Sequence, residues 1–189
     1  MRLTAVVLLL CALPFGSMAD KPKVNLATIK ALEESVDNHL LRIWRDDPVE
    51  MIGVTRGAYV SGSGVVFVGG LNLAPSAGIS PFHKTITPDE LKRIHEKKVS
   101  RLPKLKTAMQ EWLLNATDSL APIPPEEQIA LGISLFYWSG ESTEGLPSQI
   151  VMHGSKRALL DVKTGRADKS TLASASACKS TDSCAWAKS

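Results

Sequence analysis

The chain has 189 residues, 44% of them hydrophobic and 22% charged, a composition that excludes wholesale disorder. Its formal net charge of +3 is too small to mark a nucleic-acid or anionic-membrane binder. Aromatics are only 5%, so a core has to rest on Val, Ile, Leu and Ala.

Arg2 gives a short positive start, and Ala5–Leu13 is an uncharged apolar run. Pro14 and Gly16 break that run, and Ser17 and Ala19 put small residues before a cut. The pattern predicts a secretory signal peptide over residues 1–19, cleaved between Ala19 and Asp20. The run is too short for a membrane span, which takes about 20 apolar residues. Lipid attachment at Cys11 is the weaker alternative, because bulky Leu10 precedes it. No later stretch is long and apolar enough to cross a bilayer, so the mature chain is expected to lack a transmembrane anchor.

Asn25 is a good N-cap, and Leu26, Ile29, Leu32, Val36, Leu40 and Ile43 recur at three- and four-residue steps, predicting an amphipathic helix. Trp44 docks its end and Asp46-Asp47-Pro48 stops it. Val49–Val54 reads as a first strand. Arg56–Gly70 follows, and the rest of the chain is organised around it. Tyr59, Val60, Val65, Val66, Phe67 and Val68 suit a pleated, half-buried surface. Ser61-Gly62-Ser63-Gly64 in its middle has almost no side-chain bulk, so the strand bends there or something approaches its backbone closely. Leu71–Thr87 reads as a long loop that carries His83.

Thr87-Pro88-Asp89-Glu90 is a helix start with a capping box. Leu91, Ile94, Leu102, Leu105, Met109, Trp112 and Leu113 mark its apolar stripe. Pro103 is expected to kink or split this helix near Ser100. Lys92, Arg93, Lys97, Lys98, Arg101, Lys104 and Lys106 read as a solvated basic face, since no aromatics interleave with them as a nucleic-acid groove would need. Asn115-Ala-Thr117 matches a glycosylation sequon. Gln128–Trp138 predicts a central strand covered on both faces. Ser139–Pro147 is a turn, Ser148–His153 the partner strand of a hairpin, and Ser155–Val162 a closing helix or strand. From Lys163 onward Ser, Ala and Lys predict a disordered tail over residues 163–189. Cys178 and Cys184, an even pair once Cys11 leaves with the leader, predict a disulfide that closes a small ring in that tail. The expected architecture is one α+β domain over residues 20–162, an antiparallel sheet of about four strands packed under two helices.

Tyr59-x-x-Gly62-x-Gly64-Val-Val-Phe67, Ile79-Ser-Pro-Phe82, Leu102-Pro-x-Leu-Lys106, Pro124-Pro-Glu-Glu-Gln128, Leu135-Phe-Tyr137 and Gly145-Leu-Pro-Ser-Gln-Ile150 resemble an uncharacterised family of exported proteins from environmental bacteria of the acidobacterial type. The resemblance covers roughly residues 49–162, implies a bacterial exported protein, and transfers no catalytic residue. It makes the sequon accidental. Ser63 stands where the pattern has an aromatic, which opens the middle of the strand further.

Three enzyme readings fall short. Ser61-Gly-Ser-Gly-Val-Val-Phe67 resembles the first barrel strand of HtrA-type serine proteases, but no Gly-x-Ser-Gly nucleophile turn follows, so there is no oxyanion hole. Ser176-Ala-Cys-Lys179 and Lys163-Thr-Gly165 echo penicillin-binding enzymes in inverted order. A Gly-x-Ser-x-Gly elbow does not occur. His39, His83, His95 and His153 are scattered, no pair has the i, i+4 spacing of a zinc helix, and two thiols without a nearby His make no zinc site. No cofactor or metal is therefore expected. The leading expectation is a secreted or periplasmic, non-enzymatic domain that binds a protein or envelope component. Its candidate contact surface is Ser61, Gly62, Ser63, Gly64 and His83. The alternative is a small-molecule serine hydrolase using Ser61 or Ser63 with His83.

Overall fold

A computed structural model describes residues 24–75 and 86–177. The expected leader, with the Ala19–Asp20 cleavage site and Cys11, lies outside those residues. So do His83 and the expected Cys178–Cys184 pair.

Helix α1 (Leu26–Ile43) begins where the cap was read: the Asn25 side chain accepts from the Ala27 N–H at 3.0 Å. Ile29, Leu32, Val36 and Leu40 form its buried stripe. Strands β1 (Glu50–Met51), β2 (Arg56–Val60) and β3 (Gly64–Asn72) come next, then helix α2 (Pro88–Ser119). Strands β4 (Gln128–Leu135) and β5 (Gln149–Ser155) follow, then helix α3 (Lys156–Lys163), a 3-10 turn (Lys169–Thr171) and strand β6 (Ala173–Ala177).

The strand expected over residues 56–70 is in fact a hairpin. β2 pairs antiparallel with β3, from Arg56 opposite Val68 to Val60 opposite Gly64. The Ser63 N–H closes the turn on the Val60 carbonyl at 2.9 Å. Apolar alternation on both sides hid the reversal, although a short Gly-bearing break between two alternating runs is a hairpin signal. β1 and β2 share the same flank of β3, so six strands fill five positions, in the order β1/β2, β3, β4, β5, β6. The sheet is mostly antiparallel, but β3 and β4 run parallel, with Val65 opposite Ile129 and Leu71 opposite Leu135. The connection explains this: α2 is a crossover, and a crossover of that length joins parallel neighbours.

Pro103 does not split α2, which runs unbroken for 32 residues. Proline leaves the Val99 carbonyl without its helical donor, but Pro103 and Val99 are both exposed, so water can serve that carbonyl. Thr87 caps the helix as read, its hydroxyl accepting from the Glu90 N–H at 3.3 Å. Residues 163–177, expected as tail, instead carry the end of α3, the 3-10 turn and β6.

One core lies between the helices and the inner face of the sheet. Val65, Phe67 and Leu71 of β3 meet Ile129, Leu131 and Ile133 of β4 and Ile150 and Met152 of β5, all buried. Phe67 meets Trp112 of α2 edge to face, with ring centroids 5.1 Å apart. Burying each such side chain contributes about 1.5–3 kcal/mol.

His39 ties α1 to α2, its Nε2 3.1 Å from the Ala108 carbonyl. Burial holds its pKa below the ordinary 6.5, outweighing that carbonyl, and Arg42 adds to the effect. The unfolded chain therefore takes up this proton first, and stability falls as pH drops from about 6.5 towards the folded pKa. Urea midpoints measured between pH 7.5 and 5.5 are expected to decline for the native protein and to decline less for His39→Gln. Equal slopes for the two proteins would rule His39 out.

Candidate functional site

Ser61, Gly62 and Ser63 form the exposed tip of the β2–β3 hairpin, and Gly64 opens β3 at its buried base. Glu127, just before β4, holds the tip. Its Oε1 accepts from the Gly62 N–H at 2.9 Å and from the Tyr59 hydroxyl at 3.3 Å. Burial raises the Tyr59 pKa, and the Glu127 carboxylate raises it further. The Gln128 N–H donates to the Ser63 carbonyl at 3.0 Å, so the hairpin is bound to β4 from its first residue. Sequence reading missed Glu127, whose place in a Pro-Pro-Glu-Glu connector gives no hint of burial.

The glycine notch has a structural reason at Gly64. Its φ is +124°, and a Cβ there would lie 1.9 Å from the Gln128 carbonyl oxygen. The backbone that approaches is that of β4. Gly62 also has a positive φ, +84°, but opens onto empty space.

The expectation that β4 is covered on both faces is not met. Its core face carries Ile129, Leu131, Ile133 and Leu135, while Gln128, Ala130, Gly132 and Ser134 lie on the other. No described helix packs on that outer face. Register places Arg56, Val68, Gly132 and Val151 in one row across it, and Ala58, Val66, Ala130 and His153 in the next. Val60, Val66 and Val68 remain 54%, 38% and 44% exposed. Ile52, 43% exposed, lies over Gly70 and extends the same strip. At the hairpin end the strip dips into a hollow of about 150 Å³ lined by Val60, Ser63, Gly64, Val65, Val66, Gln128 and Ala130. Ser63 and Gly64 of the expected contact surface are thus part of this face. His83 lies outside the described residues.

Among the described residues no histidine is hydrogen-bonded to Ser61 or Ser63. His39 is on α1, and His95 Nδ1 lies 2.8 Å from the Ser142 carbonyl, to which it donates. His153, on the outer face, lies 3.4 Å from the Gln128 side-chain oxygen. No group of three or more His, Cys, Asp or Glu is placed to hold a metal among the described residues. No described helix is long and apolar enough to cross a membrane.

The basic run of α2 is not uniformly solvated. Lys98 and its partner Glu141 have side chains 1% and 0% exposed, 2.7 Å apart. Lys98 also donates to the Phe136 carbonyl at 2.8 Å and lies 4.8 Å from the centre of the Tyr137 ring. The Trp138 N–H donates to the same Glu141 oxygen at 3.0 Å. Burial, with Glu141 adding to it, pushes the Tyr137 pKa well up. Arg101, 7% exposed, donates to the Asp47 and Leu73 carbonyls and pairs with the Asp47 carboxylate. Both cations fall on the helix's apolar stripe, at Ile94, Lys98, Arg101 and Leu105, and that spacing was the signal available in the sequence. They clamp α2 to the loops around the sheet.

The chain matches no family model, no curated protein and no solved structure.

Proposed function

We propose that this protein is an exported, non-enzymatic binding domain that holds a partner protein or envelope component against the outer face of its sheet. The observation that supports this most is the run of Val60, Val66, Val68 and Ile52, adjacent, apolar and uncovered by any described element. Contiguous exposed apolar surface on a folded domain marks interaction sites. Export rests on the leader pattern of residues 1–19 and on the resemblance to the acidobacterial family.

A photo-crosslinking residue placed at Val66 in the producing cell is expected to give one discrete adduct in the envelope or secreted fraction. The same residue at Leu41, exposed on α1 on the opposite side, is expected to give none. Adducts of equal pattern at both positions, or none at Val66, would end this reading. The serine-hydrolase alternative predicts labelling by a serine-reactive probe that is lost in His83→Ala; such labelling would replace the binding reading.

A further inference from the structure

We propose that β6 is a self-association edge, where two copies of this chain pair β6 against β6 about a two-fold axis and join their sheets into one of ten positions. An open sheet has two edges, and an unpaired edge is a template for another strand. Here the two edges are built differently.

The β1/β2 edge is guarded by α1 around Thr55 and Gly57. The Asp37 carboxylate of α1 accepts from the Thr55 N–H at 3.3 Å and from the Thr55 hydroxyl at 2.5 Å. One turn back on the same helix, Glu33 accepts from the Gly57 N–H at 2.7 Å. These N–H groups point away from β3 and are the donors an added strand would need; α1 has already taken them. Between Ile52 and Arg56 the chain also leaves the pairing altogether, which further interrupts that edge.

Among the described residues the β6 edge carries no such device. β6 pairs with β5 along all five residues, from Ala173 opposite His153 to Ala177 opposite Gln149. Among the described residues nothing pairs with its other side. Ala173-Ser-Ala-Ser-Ala177 has no charge and no proline, the residues that natural edges use as guards.

The sequence of the strand selects the occupant. A two-fold contact is isologous: what residue i meets, its symmetry mate also meets. Ala-Ser-Ala-Ser-Ala reads the same in both directions. Antiparallel pairing centred on Ala175 therefore sets Ala opposite Ala and Ser opposite Ser at every position, with no mismatch in bulk or charge. A second copy satisfies that register without any further requirement on sequence.

Five paired residues bury far less than the ~800 Å² per partner of a standard stable complex, so this dimer is weak and depends on concentration. Pairing in one continuous sheet puts both outer faces on the same side. Each is about 20 Å wide, from five strands spaced ~4.8 Å apart, and the dimer presents a strip twice as broad. This inference does not depend on what the outer face binds.

The test is sedimentation equilibrium of the full chain across a wide concentration range. The weight-average mass is expected to rise towards twice that of the monomer. Ala175→Lys, which sets two like charges beside the axis, and Ser174→Pro, which removes a backbone donor on the open side of the strand, are each expected to hold the mass at the monomer value. Thermal melts matching the native protein's at low concentration would show that the variants still fold; the lysine variant carries the test where the proline one does not fold. A native protein that stays monomeric throughout, or a dimer that persists in folded Ala175→Lys, overturns the proposal.

Discussion

Lys98→Met is expected to destabilise the protein by about 3–5 kcal/mol, the usual cost of removing one partner from a buried ion pair. The ammonium of Lys98 is enclosed by Glu141, the Phe136 carbonyl and the Tyr137 ring. Methionine fills similar space but supplies no charge and no donor. Among the described residues Glu141 then keeps only the Trp138 N–H on Oε2, and its other oxygen has no hydrogen-bond partner. A carboxylate left this way costs more than the contact was worth. The matching expectation is that Lys98→Met combined with Glu141→Leu recovers most of the loss, since replacing both members of a buried pair with apolar groups is often neutral or better. Urea unfolding of the four proteins in this cycle measures the coupling directly. A single variant within about 1 kcal/mol of native would mean that the pair is solvated and clamps nothing.

The same pair shows how far the sequence could be read. α1 and the start of α2 were legible because period and cap agree: Asn25 and Thr87 sit where a hydroxyl or amide oxygen is needed, and apolar residues recur from there. β4 and β5 were legible as strands, but the alternation of β4, with Ile129, Leu131, Ile133 and Leu135 inward, was not used, so its outer face was expected to be covered. Lys98 and Arg101 were assigned to water on their chemistry, although their spacing put them on the buried stripe. Only tertiary partners, Glu141 forty-three residues on and the Asp47 and Leu73 carbonyls, make that burial tolerable. Parallel pairing of β3 and β4 is likewise a tertiary fact, set by where α2 returns the chain. β6 was missed for the opposite reason. Alternating Ala and Ser has neither β-branching nor a strong apolar period, and the strand is assigned by its ladder to β5.

The glycine notch was legible only in outline. The lack of bulk at residues 61–64 was plain, but its cause divides between two glycines that look alike in sequence. Gly62 stands on the hairpin tip, its N–H on Glu127, and serves the turn. Gly64 stands where β3 meets β4, and its missing side chain lets two backbones touch.

That division predicts unequal effects from one substitution made two residues apart. Gly62→Ala is expected to cost about 1 kcal/mol, because φ of +84° strains any side chain although nothing stands in its way. Gly64→Ala meets the same kind of strain at +124° and adds a collision: its Cβ would lie 1.9 Å from the Gln128 carbonyl oxygen and 2.6 Å from the Gln128 nitrogen. Neither atom is the end of a flexible side chain, so relief requires β3 and β4 to part at their first pair. That pair begins the parallel ladder, and Val65 and Ile129 stand next along it in the core. The expected loss is about 3 kcal/mol or more, a size that calls for a named steric cause, here the backbone collision. Thermal and urea unfolding of both variants decide the matter. If Gly64→Ala proves no worse than Gly62→Ala, the ladder does not hold β3 against β4 at this point, and the notch has to be explained by something other than the neighbouring strand.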